Sequence, residues 1–130
     1  AFILAGDFNA PLASSAVASY LSFGFVVPGV IEFGREVGDG KLGAEAAGHP
    51  YKLQSAYAPD AQEFSFTVRG ASGFCGMLDQ VWYDTEALKC LGTRCCFRSE
   101  EHKQQVYVRG LPSSEDPSDH LPLGACFQLL

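Results

Sequence analysis

Three short polar clusters interrupt otherwise apolar stretches of this 130-residue chain, and each holds side chains suited to work on a phosphate ester. The first is Gly6-Asp7-Phe8-Asn9, directly after the apolar run of residues 1–5. Asp and Asn behind a strand commonly form turns by bonding their own backbone. The same pair also supplies a carboxylate that can orient or deprotonate water and an amide that can hold a phosphate oxygen. The second cluster is Pro117-Ser118-Asp119-His120-Leu121-Pro122-Leu123. Its Asp and His read either as an ordinary cap and a satisfied polar residue, or as an oxygen ligand for a hard cation beside an imidazole for phosphate. The third is Asp79 within Gly76-Met77-Leu78-Asp79-Gln80-Val81-Trp82-Tyr83. A carboxylate in an apolar strand must face water or be paired. Strand alternation places Asp79 on the face of Met77, Val81 and Tyr83. A histidine partner there would have its tautomer and ring fixed by the carboxylate.

Around these clusters the chain has the make-up of an ordinary folded domain: 47% hydrophobic, 18% charged, with a net charge of -6. No apolar run approaches the ~20 residues of a membrane-spanning helix. The longest candidate, residues 23–31, is broken by Gly24, Pro28 and Gly29. The nine Lys and Arg are scattered, which argues against a general polyanion coat but not against an enzyme with carboxylates around a metal. The five cysteines are odd in number and lack a CxxC pair, so free thiols in a reducing compartment are expected. The cytoplasm is the expected location, with the nucleus or mitochondrion as alternatives. The chain begins inside an apolar strand without an initiator Met, charged leader or cleavage signal, so it is expected to be part of a longer protein.

The elements that must position the clusters are mostly strands. Residues 1–5 read as a strand buried on both faces. Ser14-Ser15 offers a cap for a helix with apolar Ala16, Val17, Tyr20 and Leu21, ending at Gly24. Residues 34–48 carry five glycines and read as a long loop. Residues 49–57 are expected to be a short helix before a turn at Pro59. Strands are expected over 64–68, 77–83, 88–97 and 121–130, with a turn at 70–76 and a loop at 111–118. Residues 105–108 are short and ambiguous. Strands with one or two helices give an α+β or mixed α/β fold, with chemistry on loops at strand ends.

Taken in order, the three clusters resemble the endonuclease/exonuclease/phosphatase superfamily. Its pattern is a strand ending in Gly-Asp-Phe-Asn, a later Leu-Asp-hydrophobic strand, and a Ser-Asp-His followed by Leu-Pro-Leu. Four finer segments are Lys52-Leu53-Gln54-Ser55-Ala56-Tyr57, Glu63-Phe64-Ser65-Phe66-Thr67, Leu78-Asp79-Gln80-Val81-Trp82-Tyr83 and residues 117–123. These are similar to the branch of carbon-catabolite-repressor-type deadenylases, nocturnin, the angel proteins and the 2′-phosphodiesterase. The resemblance spans nearly the whole chain but only the latter half of that family's catalytic domain. It implies that residues 1–130 are the C-terminal half of a four-layer α/β/β/α sandwich with two mainly antiparallel sheets, and need the N-terminal half. The family's metal-binding Glu and a further active-site Asn would then lie upstream of residue 1. Gln80 departs from the pattern, standing where the family usually has an aromatic or aliphatic residue.

The resemblance also implies roles. Asp7 would orient or deprotonate the attacking water and, with Asp119, hold Mg2+ or Mn2+. Asn9 would hold the scissile phosphate. His120 would contact it and stabilise its growing charge, with Asp79 fixing the ring. Asp79 and His120 should then lie within hydrogen-bond reach, with Asp7, Asn9 and Asp119 around the same pocket. The implied activity is a metal-dependent 3′-exoribonuclease of deadenylase type, acting on RNA 3′ ends with poly(A) leading. The rivals are a phosphodiesterase or phosphatase for a nucleotide or other small phosphoester, and a degenerate nuclease domain serving as a structural subunit of a larger assembly. No membrane is expected as a partner.

Overall fold

The computed structural model describes residues 1–12, 15–26, 30–32, 35–37, 48–57, 66–70 and 72–130. Most of the 34–48 loop, Ser14, the Pro59 turn and Glu63-Phe64-Ser65 lie outside the described residues. Polar residues behind apolar runs set the first elements. The run after Ala1 becomes strand β1 (Ile3–Asp7), and helix α1 (Ala16–Phe23) follows. Ser15 caps α1, its hydroxyl accepting from the Ala18 N–H at 3.0 Å. Gly24 ends it with φ 77, where a side chain would be strained, and its N–H reaches the Tyr20 carbonyl at 2.7 Å. Two short strands, β2 (Val30–Glu32) and β3 (Arg35–Val37), pair antiparallel beyond it.

Strand β4 (Leu53–Ser55) occupies part of the segment expected to be helical. The physical reason is its period of two: Leu53 and Ser55 are buried while Gln54 is exposed. The hairpin β5 (Val68–Arg69) and β6 (Cys75–Gly76) encloses the expected 70–76 turn. Strand β7 (Asp79–Asp84) is the centre of an antiparallel sheet ordered β1-β7-β4. Its alternation sorts two cores. Trp82 packs with Ala18, Leu21 and Leu53 under α1. Val81 and Tyr83 join Met77, Tyr57, Phe66 and Leu121 on the other face, the face Asp79 shares.

Strand β8 (Leu88–Arg94) pairs antiparallel with the last strand, β9 (Gly124–Leu129), with a bulge between Cys90 and Gly92. Between them lies helix α2 (Glu100–Arg109), where the sequence reading left residues 105–108 ambiguous. Ser99 caps it, Glu100 and Glu101 occupy the first turn, Arg109 the last, and Gly110 closes it. These charges match the helix dipole at both ends. Only His102 and Val106 of α2 are buried, so its apolar stripe is one residue wide. Two helices with several antiparallel sheets among the described residues make the fold α+β, as expected. A further expectation fails: β1 is not buried on both faces. Among the described residues it pairs only with β7, and Ile3 is 48% exposed. All five cysteines are free, and no helix among the described residues is long and apolar enough to cross a membrane.

Candidate active site

The end of β1 and the start of β7 lie side by side, with Asp7 directly opposite Asp79. Opposite residues share a face, so two carboxylates meet there. Thr67, fully buried, fixes the start of β7: its Oγ1 accepts the N–H groups of Leu78 at 3.1 Å and Asp79 at 3.2 Å. The same residue's carbonyl accepts the Leu121 N–H at 2.8 Å, which anchors the loop carrying His120. Val68 pairs with His120 through an antiparallel bridge, and the His120 N–H donates to Ser118 Oγ at 3.1 Å.

These restraints bring together residues 41 positions apart. His120 Nδ1 lies 2.8 Å from Asp79 Oδ2. The carboxylate only accepts, so Nδ1 carries the hydrogen, and Nε2 has no partner among the described residues. The hydrogen bond to Asp79 holds the His120 pKa above its ordinary 6.5; partial burial opposes this, and the charges of Asp79, Asp7 and Asp119 add to it. His120 and Asp79 line an open cleft of about 470 Å³, together with Ala5, Gly6, Ser118 and Leu123. That volume suits a nucleotide-sized ligand.

Asp7, Asn9 and Asp119 do not line the cleft itself. All three are exposed: Asp7 follows Gly6 in the chain, and Asp119 separates Ser118 from His120. The turn reading of the first cluster is realised as well. Asp7 Oδ1 accepts the Asn9 N–H at 2.8 Å, and Asn9 sits at φ 50, a left-handed conformation that Asn tolerates better than most residues. The turn leaves the Asn9 side chain and the second Asp7 oxygen without a partner among the described residues. Among those residues no three His, Cys, Asp or Glu side chains form a metal-binding group. Asp7 and Asp119 supply carboxylate oxygens, the ligand type of which Mg2+ commonly takes one or two, with water and phosphate oxygens in its remaining positions.

Sequence reasoning did not pick out Thr67 as a support, though its place one residue before Val68 in an alternating run was visible. Gln80 was noted only as a departure. It is 1% exposed, and its amide bonds Ala10 and Trp82.

No family model matches the chain. Curated relatives do. The chain is 33% identical over 127 residues to the CCR4-Not complex 3'-5'-exoribonuclease subunit Ccr4 of Candida albicans, covering 98% of this chain and 15% of the relative. It is 34% identical over 125 residues to the subunit of the same name from Yarrowia lipolytica, covering 96% and 17%. With the Schizosaccharomyces pombe subunit it shares 29% identity over 127 residues, covering 98% and 17%. The chain therefore spans only a small part of the length of the relatives it matches.

Proposed function

We propose that this chain carries part of the active site of a metal-dependent 3′-exoribonuclease, acting on RNA 3′ ends and preferring poly(A). The observation that carries this reading is the Asp79–His120 pair at 2.8 Å on the wall of a cleft, beside a turn that displays Asp7 and Asn9. The similarity to subunits named as 3'-5'-exoribonucleases supports it. Phosphodiester cleavage needs an aligned water and neutralised charge more than covalent chemistry. Asp7 orients the attacking water and takes its proton. Asn9 donates its side-chain amide to a phosphate oxygen. His120 presents Nε2–H to the phosphate, and the raised pKa keeps that proton in place as charge grows. Asp79 fixes the ring through Nδ1. Asp7 and Asp119 would hold Mg2+ or Mn2+, and the cation when bound supplies positive charge against the phosphate. The complete site includes a further metal-binding Glu in the other half of a four-layer sandwich, and the protein works within a larger assembly, as the relatives' names describe for them.

The test uses the full-length protein that contains this segment. RNA labelled at its 5′ end and carrying a 3′ adenosine tail is expected to shorten stepwise with Mg2+ and to stay intact with a chelator. RNA left intact at every Mg2+ concentration would overturn the reading. Faster hydrolysis of a small phosphoester than of RNA would replace the substrate.

A further inference from the structure

Asp79 faces the cleft, and the next residue along β7 points the other way. Gln80 is 1% exposed on the α1 side of the sheet, in a position otherwise fit for an apolar side chain. Both ends of its amide are engaged. Nε2 donates to the Ala10 carbonyl at 2.6 Å, and Oε1 accepts the Trp82 indole N–H at 2.8 Å. A carbonyl only accepts and an indole N–H only donates, so the orientation of the amide is fixed by its partners.

The Ala10 bond closes the turn that displays Asp7 and Asn9. At the near end, β1 is held to β7 by the Gly6 and Asp7 pairings and by the Phe8 N–H, which reaches the Leu78 carbonyl at 3.0 Å. At the far end, Gln80 holds Ala10. Between the two clamps lies Asn9 in a left-handed conformation. Trp82, 3% exposed in the core under α1, holds the amide from behind.

We propose that Gln80 is a positioning residue: by holding the Ala10 carbonyl it sets the turn, and with it the direction in which Asn9 and Asp7 meet the phosphate and the water. This rests on the reading of Asp7 and Asn9 given above. An aliphatic or aromatic side chain here would fill the space but leave Ala10 untethered, so this chain builds its turn on a buried amide.

The discriminating variant in the full-length protein is Gln80→Met, apolar and of similar length, which removes the donor to Ala10. Gln80→Glu, which keeps the shape and the acceptor for Trp82 and has no donor for Ala10 once ionised, serves at alkaline pH if Gln80→Met does not fold. On the RNA substrate, turnover is expected to fall about tenfold with KM within about twofold, the mark of lost transition-state alignment. In an Asn9→Ala background the same change is expected to cost little more, because the two residues act as one unit. Hydrogen exchange at the Asn9 amide should accelerate, while the His120 titration stays as in the parent protein. A parent protein without activity would refute the exonuclease reading, and unchanged Asn9 exchange in the variant would then refute the positioning role independently. With an active parent, a Gln80→Met variant of full turnover, or a loss fully additive with Asn9→Ala, would overturn it.

Discussion

Carboxylates directly opposite on paired strands ordinarily repel, and Asp7 and Asp79 are so placed. His120 is the group that offsets them: it bonds Asp79, and the fields of Asp7 and Asp119 also favour its charged form. Its folded-state pKa is raised, so its contribution to stability is fully present below the ordinary 6.5 and is lost as pH rises through the raised value. Asp79→Asn is accordingly expected to lower the His120 pKa, seen by NMR titration of the ring. The difference in melting temperature between parent and variant should be larger at about pH 5.5 than at about pH 9. An unmoved His120 titration would remove Asp79 as its partner. The cysteines stand apart from this chemistry. Burial pushes the Cys96 thiol up to about 12, so it holds no thiolate to react. Cys95→Ser and Cys96→Ser are expected to leave turnover unchanged, which a nuclease assay on each variant checks. Asp7, Asn9, Asp79, Asp119 and His120 could all be named from the sequence because each sits where an apolar pattern stops or is broken. The bond from Asp7 to the Asn9 N–H was legible too, since Asx turns are local.

Supports for those residues were harder to read, because they come from elements whose roles depend on tertiary pairing. Thr67 bonds two consecutive N–H groups of another segment, which no local pattern encodes. Thr67→Val keeps the shape and leaves both N–H groups without that acceptor. A loss of about 1 kcal/mol is expected from leaving these half-buried groups without their acceptor, measured by chemical denaturation. A Val variant as stable as the parent would mean the hydroxyl supports nothing. Helix α2 was missed for a related reason. Val106-Tyr107-Val108 looks strand-like, yet Ser99, the paired glutamates, Arg109 and Gly110 carry the capping signals. Strand β4 was read as a helix because only three residues alternate, and its pairing with β7 decides the outcome. By contrast α1 was legible from Ser15 to Gly24, since caps are set by neighbouring residues. Ser15→Ala is expected to cost about 1 kcal/mol in a thermal melt.

Across the whole molecule, large apolar side chains stand exposed on β1, β8 and β9. Ile3 at 48%, Leu91 at 56% and Leu129 at 72% expose side chains that elsewhere form cores. The 130-residue segment expressed alone is expected to self-associate, read by light scattering. A monomer that melts cooperatively would contradict this. At this scale the fold class was legible from the predominance of strands, whereas the exposure of β1 was not. An apolar run announces burial, but it does not say which chain supplies the cover.

The central claim is that Asp7 and His120, assembled by this fold, act on the same phosphate. Its most direct test is the single-turnover rate of Mg2+-dependent RNA shortening by the full-length protein and by its Asp7→Asn and His120→Ala variants, each measured beside its thermal melt. Either substitution is expected to slow the step by roughly 10²-fold or more, with a cooperative melt retained and lowered in His120→Ala by the loss of its pairing with Asp79. Variants that shorten RNA at the parent rate would contradict the account.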